Sequence, residues 1–455
     1  MRTRPFALGA LLYLFLATGM FFWVGRHTNY EQFYCLDDTY IHLAIAKNLL
    51  LNHSFGVTPH VFSAVSSSVI WPLIVTACFA LFGVKATIPL VLDVVISVLL
   101  LYVCHRLFNR LQPQAPEWMQ MGLQIAILFS APLIMLTFGG MEHILQILAD
   151  LWFLYFASEE LTSKLQSQRT LIWFCASAAL AASVRYEGLF LVFVACLLLL
   201  SERQLVTSVV TGAAALVPVC AMGLYSVSQG SSFIPNSLRI KATNPGQLHF
   251  TPALFGPPMQ GILCSYSWKQ GLAEIFLACC GLFALTFFSG ELLSRRTRLM
   301  LGIYIGTALL HSQFSRLGWV YRYEAYLIAL GIFVLFSAAA ELGARFPGFA
   351  PAQRRLALVA ALAVAIGALS TYSRARATLL SIPWGAKAIY FQQYQMARFL
   401  ATYYPNAPIA ANDIGAITFY GDHDCLDLVG LATLEVADLR AKNAFTTDQI
   451  QRLAE

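Results

Sequence analysis

The chain has 455 residues, of which 58% are hydrophobic and 11% charged, and its mean hydropathy is +0.66. Ordinary soluble domains carry about 45–50% apolar residues, so a soluble globular protein is excluded and a polytopic membrane protein is indicated. The net charge of +6 comes from 29 basic and 23 acidic residues; the basic ones lie scattered between apolar segments and form no block, which argues against a nucleic-acid surface.

Taken in chain order, the first apolar segment, 6–25, follows Arg2 and Arg4. It is longer than a signal-peptide core, lacks a small-x-small cleavage site and is followed by further spans. It therefore reads as a retained helix with a cytoplasmic N-terminus. Asp37 and Asp38 come next, in the run Cys35-Leu36-Asp37-Asp38-Thr39-Tyr40-Ile41, ahead of a short amphipathic stretch at 42–51. Further spans are expected near 86–105, 119–138, 143–158, 170–184, 187–201, 205–227, 271–290, 299–314, 321–340 and 356–372, each close to the length that crosses a bilayer.

Segment 65–83 decides the topology. Counted as a span, it would place Arg106 and Arg110 outside and put Gly140-Met141-Glu142-His143 on the face opposite the paired aspartates. Laid along the interface, it leaves Arg106/Arg110, Lys164/Arg169, Arg203, Arg295/Arg296/Arg298 and Arg345/Arg354/Arg355 all inside, as short-loop Lys/Arg bias requires. The Ser66-Ser67-Ser68 run and Pro72 also disfavour a spanning helix there. The expected architecture is thus an all-α bundle of eleven spans, residues 1–372, with interfacial helices in the first outer loop.

Residues 373–455 lose the long apolar runs and read as a small α/β extracytoplasmic segment. In it, 408–411 and 416–420 are expected as strands joined by a turn at Asn412-Asp413-Ile414-Gly415. Cys35, Cys264 and Cys425 fall in outward segments, so one disulfide among them is open, with a third thiol left over. Most other cysteines sit within apolar helices as small core residues.

This parity gathers on one outer face the residues with chemical potential. Asp37 and Asp38 either cap the helix that starts near Thr39 or act together: a carboxylate with a like-charged neighbour in a partly dry pocket gains a raised pKa suited to a general base. Glu142 and His143 open a helix on which His143, Gln146 and Asp150 share a face. Ionisable groups within a span cost about 2.5–3.5 kcal/mol each, so they turn to an interior cavity or lock helices together. Arg185-Tyr186-Glu187-Gly188 interrupts two short apolar segments, and an outward arginine there needs a partner, either Glu187 or a bound phosphate. Arg239 and Lys241, after Pro235-Asn236-Ser237, and Arg316 and Arg322 pose the same question.

These pieces, in this order, resemble the GT-C class of polyprenyl-phosphate-dependent membrane glycosyltransferases, and within it the group of the mycobacterial terminal arabinofuranosyltransferase. Asp37-Asp38-Thr39-Tyr40-Ile41 is similar to the acidic first-loop motif, and Ser66-Ser67-Ser68-Val69-Ile70-Trp71 to the stretch that follows it. Gly140-Met141-Glu142-His143 resembles a Gly-Leu-Glu-Thr element, Arg185-Tyr186-Glu187-Gly188 an Arg-Pro-Glu-Gly element, and Pro235-Asn236-Ser237 with Lys241 a Pro-Asn-Thr loop. Asp413-Ile414-Gly415-Ala416 and Asp427-Leu428-Val429-Gly430-Leu431 resemble the C-terminal Asp-x-Gly and Asp-Leu-x-Gly-Leu pair. Tyr186 stands where the family has proline and His143 where it has threonine.

The resemblance implies transfer of a monosaccharide, with inversion, from a polyprenyl-phosphate donor to a hydroxyl of a cell-envelope glycan or glycolipid, at the periplasmic face of a bacterial inner membrane. Asp37 and Asp38 would be catalytic. Glu142, His143, Tyr40, Arg185, Glu187, Asn236, Lys241, Arg322 and Asp413 would bind the substrates, with Arg185, Lys241 and Arg322 on the leaving phosphate. The paired aspartates permit a divalent cation but form no ligand set, so no cofactor is assigned. The rival expectation is a proton- or ion-coupled transporter with Asp93, Glu142 and Asp150 as relay groups, which predicts a symmetry between halves that the sequence does not display.

Overall fold

Four stretches combine enough length and apolarity to cross a bilayer among the described residues: α1 (Arg4–His27), α4 (Ile88–Leu111), α10 (Leu205–Ser228) and Ala325–Gly348, whose helical part is α14 (Ala325–Arg345). Each runs for 24 residues, about 36 Å at 1.5 Å per residue against a hydrocarbon core of about 30 Å. The chain is a helical, multi-pass membrane protein. A computed structural model describes residues 3–163, 167–241, 271–288, 292–315, 317–348, 371–405 and 407–454, with scattered residues between 351 and 369.

The expected span at 119–138 is a broken one. Helices α5 (Glu117–Ser130) and α6 (Leu133–Gly139) meet at 42°, and the break holds Pro132, which has no N–H to continue a helix. Segment 65–83 forms α3 (Ile70–Phe82), whose 13 residues reach about 20 Å, short of a full crossing. It follows α2 (Asp38–Leu51), so two short helices occupy the first loop. The remaining bundle helices are α7 (His143–Thr162), α8 (Gln168–Val184), α9 (Gly188–Ser201), α12 (Ala273–Phe288) and α13 (Arg295–Phe314), and the short α11 (Asn236–Lys241) follows α10.

Side-chain patterning places these helices. On α1, Leu8, Leu11, Phe15 and Phe22 are exposed while Tyr13, Ala17 and Val24 are buried, the division a helix needs when one side faces lipid. Helix α14 is apolar on every side from Ala325 to Leu335 and buried on every side, as an all-round hydrophobic helix must be. It forms the middle of the bundle.

Beyond the bundle, α15 (Tyr372–Ile389) continues through a π-helical turn, Tyr390–Tyr394, into α16 (Gln395–Tyr403). There follow β1 (Ile409–Ala411), α17 (Gly415–Gly421), β2 (Cys425–Asp427), α18 (Leu434–Ala441) and α19 (Thr447–Ala454). The expected strand at 416–420 is a helix instead. The two strands pair in parallel, Ile409 opposite Cys425 and Ala411 opposite Asp427, and parallel strands require a crossover, which α17 supplies. Tertiary packing overrides local propensity here, because as a helix Phe419 and Tyr420 stack near Tyr40, and Tyr420 meets Phe33 and Tyr394.

The tail is fastened to the first loop. Lys47 donates to Asp422 at 2.7 Å and to the Phe419 carbonyl at 3.0 Å, and Asn29 donates to the Tyr390 hydroxyl at 2.7 Å. Arg239 on α11 pairs with Asp438 on α18 at 2.6 Å. These polar links are partly exposed, and such pairs contribute about 0–1 kcal/mol each. The buried aromatic cluster therefore carries most of the docking. Asp427 spends its carboxylate within the tail, accepting from the backbone of Val429 and Ala432, so it braces its own loop.

Candidate functional site

The first loop and the α6–α7 turn are stitched together by backbone contacts. Cys35 N–H donates to the Phe138 carbonyl at 3.0 Å, and the Thr39 hydroxyl donates to the Gly139 carbonyl. The turn reverses at Gly140, with φ +65°, where a Cβ would stand 2.4 Å from the Tyr34 ring; only glycine fits both the backbone angle and the space. The result sets the start of α2 against the start of α7. The twin aspartates and Glu142 thus share one end of the bundle.

Neither aspartate caps α2. Asp37 occupies the N-cap position without a side-chain cap bond. Its carboxylate reaches across to the tail, accepting from Gly415 N–H at 2.6 Å and Ala416 N–H at 2.8 Å. A Cβ at position 415 would lie 2.1 Å from the Asp37 carbonyl oxygen, so glycine lets the two segments touch. Burial pushes the Asp37 carboxyl up to about 7, against the lowering effect of those two N–H donors. Asp38 turns the other way and pairs with Arg322, and its side chain is 22% exposed.

A single charged network runs on from that pair. Arg322 also donates to the Tyr323 hydroxyl at 3.1 Å and points Nη1 at the Met141 sulfur at 2.9 Å. Its Nε is buried without a hydrogen-bond partner among the described residues. The Tyr323 ring lies 4.9 Å from the Arg322 guanidinium and 5.7 Å from that of Arg185. Arg185 forks onto Glu187 at 3.1 and 2.9 Å and donates to Glu142 at 2.5 Å. His42, one turn beyond Asp38 on α2, brings Nε2 within 3.6 Å of Glu142. Asp38 and the glutamate before α7 are therefore linked through two arginines and one tyrosine. Arg185 finds partners in both Glu187 and Glu142.

The sequence places a turn before Arg322, between the spans expected at 299–314 and 321–340, but not its left-handed conformation. Gly318, Trp319, Val320 and Tyr321 all have positive φ, at +91°, +47°, +62° and +60°. Left-handed backbone costs roughly 1–2 kcal/mol for each non-glycine residue, so something must hold it. Glu324 accepts from Gly318 N–H at 2.8 Å, and Arg374 on α15 donates to Glu324 at 2.8 Å and to the Tyr321 carbonyl at 2.6 Å. The Arg374 and Glu324 side chains are both 0% exposed. The two ends of the turn are clamped, and Arg322 and Tyr323 emerge from it into the network.

Other expected site residues are more dispersed. His143 lies beside the network, its ring edge-on to Tyr323. Tyr40 is buried in the aromatic cluster and meets Tyr34 and the tail. Asn236 is buried at the start of α11, where its N–H donates to the Ala64 carbonyl at 2.8 Å. Asp413 accepts from Gln393 at 2.9 Å at the surface, two residues from the Asp37 contact. Asp93 on α4 and Asp150 on α7 are fully buried. Arg316 lies outside the described residues, as does the side chain of Lys241.

The Cys35 thiol is buried and donates to the Phe138 carbonyl at 3.2 Å, and Cys35 and Cys425 are both free. No disulfide joins those two, and Cys264 lies outside the described residues. Among the described residues no group of three or more His, Cys, Asp or Glu side chains is placed to hold a metal ion.

Residues 387–454 match a family model described as a domain of unknown function, DUF8728. No curated protein matches the sequence. The fold is similar to that of ArnT from Cupriavidus metallidurans bound to undecaprenyl phosphate. The likeness covers 97% of this chain and 90% of that one, with 12% sequence identity and a TM-score of 0.55. The same protein in the apo state matches with the same figures. At that identity the likeness establishes a shared fold.

Proposed function

We propose that the chain is an inverting GT-C glycosyltransferase that takes a monosaccharide from a polyprenyl-phosphate carrier to a hydroxyl acceptor. The observation that carries this reading is Arg322. It is a buried arginine beside Asp38, with one donor aimed at a thioether, a weak acceptor, and Nε without a partner among the described residues. A phosphate offers the guanidinium strong acceptors, two of its oxygens forking onto Nε and Nη2. Support for the donor class comes from the fold likeness to a protein seen with undecaprenyl phosphate bound.

In this reaction the acceptor oxygen attacks the anomeric carbon from the face opposite the phosphate. The carbon–oxygen bond to phosphate breaks, and its electron pair leaves on the polyprenyl phosphate. Asp38 takes the acceptor proton. Its side chain is partly exposed, and the phosphate takes over the Arg322 Nη2 that pairs with it as the donor arrives. Asp37, committed to the tail, sets the geometry. Arg322 and Arg185 stabilise charge on the leaving phosphate, a role for fixed cations in a dry site. Glu142 and His143 orient the sugar hydroxyls.

The finer assignments belong to the same proposal. With the eleven spans read from the sequence, the charged network faces the periplasm from a bacterial inner membrane, and the acceptor is a cell-envelope glycan or glycolipid. The arabinofuranosyl subgroup rests on the motif order alone. The test is sugar transfer by purified protein from a polyprenyl-phosphate donor. Asp38→Asn is expected to lose at least a hundredfold in turnover, the lower end of what a positioned base supplies, with unchanged folding. Full turnover in that variant removes the assignment. A defect confined to ion-coupled uptake in Asp93→Asn or Asp150→Asn vesicles would favour the transporter instead.

A further inference from the structure

Away from the charged network, the tail and the first loop enclose a second space, a cleft of about 570 Å³. That volume falls within the range of about 300–1,000 Å³ typical of small-molecule sites. One wall is the loop 57–63, a second is the turn 229–231 after α10, and the third comes from β1, β2 and the start of α18. The walls are set. The 55–63 loop closes through Ser63 N–H to the Phe55 carbonyl at 3.0 Å and Val57 N–H to the Ser63 hydroxyl at 3.2 Å. Phe62 is held between Phe55 and Tyr225 by ring contacts at 6.0 and 5.4 Å.

The chemistry of the lining separates this cleft from a phosphate site. Among its described lining residues there is neither lysine nor arginine; the charged groups are the exposed carboxylates Asp424 and Glu435, accompanied by His60. A phosphate-bearing donor would meet like charge there and no fork to hold it. Thr58, Ser231, Gln229 and Thr433 add hydroxyl and amide groups, and the half-buried Phe62 ring offers an apolar face. Dense hydrogen-bonding groups beside one aromatic face, with carboxylate acceptors and no cation, suit a molecule rich in hydroxyls, neutral or amino-bearing.

The cleft is also within reach of the reacting end. Ala410 of β1 lines it, and Gly415, five residues further on, holds the Asp37 carboxylate. An extended chain of that length spans at most about 17 Å, a separation that a short oligosaccharide bridges. We propose that this cleft binds the non-reacting part of an uncharged or amino-bearing oligosaccharide acceptor, presenting its terminal hydroxyl towards Asp38. The proposal deepens the glycosyltransferase reading and rests on it for the direction of presentation.

The experiment probes an array of immobilised oligosaccharides with the detergent-solubilised full chain, in parallel with binding of polyprenyl phosphate in micelles. Wild-type protein is expected to retain neutral or amino-sugar oligosaccharides. Ala410→Trp, which fills the cleft from its exposed strand, and Glu435→Gln, which removes one charged acceptor at constant shape, are each expected to weaken that retention about tenfold. Tenfold is the scale of a single charge-assisted hydrogen bond. Both variants should bind polyprenyl phosphate as before. Equal glycan retention by wild type and both variants, retention of phosphate-bearing glycans alone, or no glycan retained overturns the cleft assignment. Loss of polyprenyl-phosphate binding in the wild type overturns the donor reading instead, so the two failures are distinct.

Discussion

Replacing Arg374 tests how the left-handed turn is held. Arg374 and Glu324 are both fully buried, 2.8 Å apart, and the same guanidinium donates to the Tyr321 carbonyl. Arg374→Met leaves Glu324 as an uncompensated buried charge, and breaking a buried pair from one side costs about 3–5 kcal/mol. Replacing both partners with uncharged groups removes that penalty, so Arg374→Met with Glu324→Gln is expected to regain most of the lost stability. The glutamine retains an oxygen for Gly318 N–H. Both variants lose the Arg374 bond to the Tyr321 carbonyl, the hold on the far end of the turn, and its three non-glycine left-handed residues relax. Arg322 then loses its fixed position, and the KM for a polyprenyl-phosphate donor should rise about tenfold in the single and the double alike. Denaturant unfolding in detergent gives the stabilities, and their double-mutant cycle gives the coupling. A single variant within about 0.5 kcal/mol of wild type, or a double whose cost is the sum of the two singles, would refute the clamp.

Gly415→Ala drives a Cβ against the Asp37 carbonyl, so tail docking should weaken by about 1–3 kcal/mol, seen as faster proteolysis after residue 405 while the bundle stays folded; unchanged cleavage kinetics contradict the contact. Asp37 makes a pH-dependent claim. Its carboxyl is raised to about 7 in the folded chain, burial being the leading cause, so the folded state holds that proton more tightly than the unfolded state. The stability this contributes is fully present below about pH 4 and declines as pH rises through 7. Between pH 5 and pH 8 the Tm of wild type is therefore expected to fall relative to Asp37→Asn, and parallel curves would dismiss it.

Much of the frame was legible in the sequence because its signals are local. Apolar stretches and basic loops predict helices where α1, α4, α8, α9 and α10 lie, and the Ser66-Ser67-Ser68 run marks the stop before the short α3. Asp38, Glu142, Arg185, Glu187 and Arg322 stood out because a charge is costly in a chain this apolar. Their pairing was not legible: Arg322 meets Asp38 across nearly 300 residues, and nothing in either neighbourhood names the other. Arg374 was missed because it follows the last apolar run, where an arginine reads as an ordinary boundary residue. The signal available was the cluster Arg322-Tyr323-Glu324, an acid and a base beside a span, which called for a third charge. The strand expected at 416–420 failed for a similar reason. Ile417, Thr418, Phe419 and Tyr420 favour a strand locally, yet Asp37 holds the first N–H groups of a helix there and the aromatic rings have partners on α2.

The most direct measurement is the structure of the full chain with polyprenyl phosphate bound. The phosphate is expected on Arg322, forking onto its Nε and Nη2 donors, with the Asp38 carboxylate displaced from Nη2. A phosphate seated elsewhere, with the Asp38–Arg322 pair intact, would contradict this expectation.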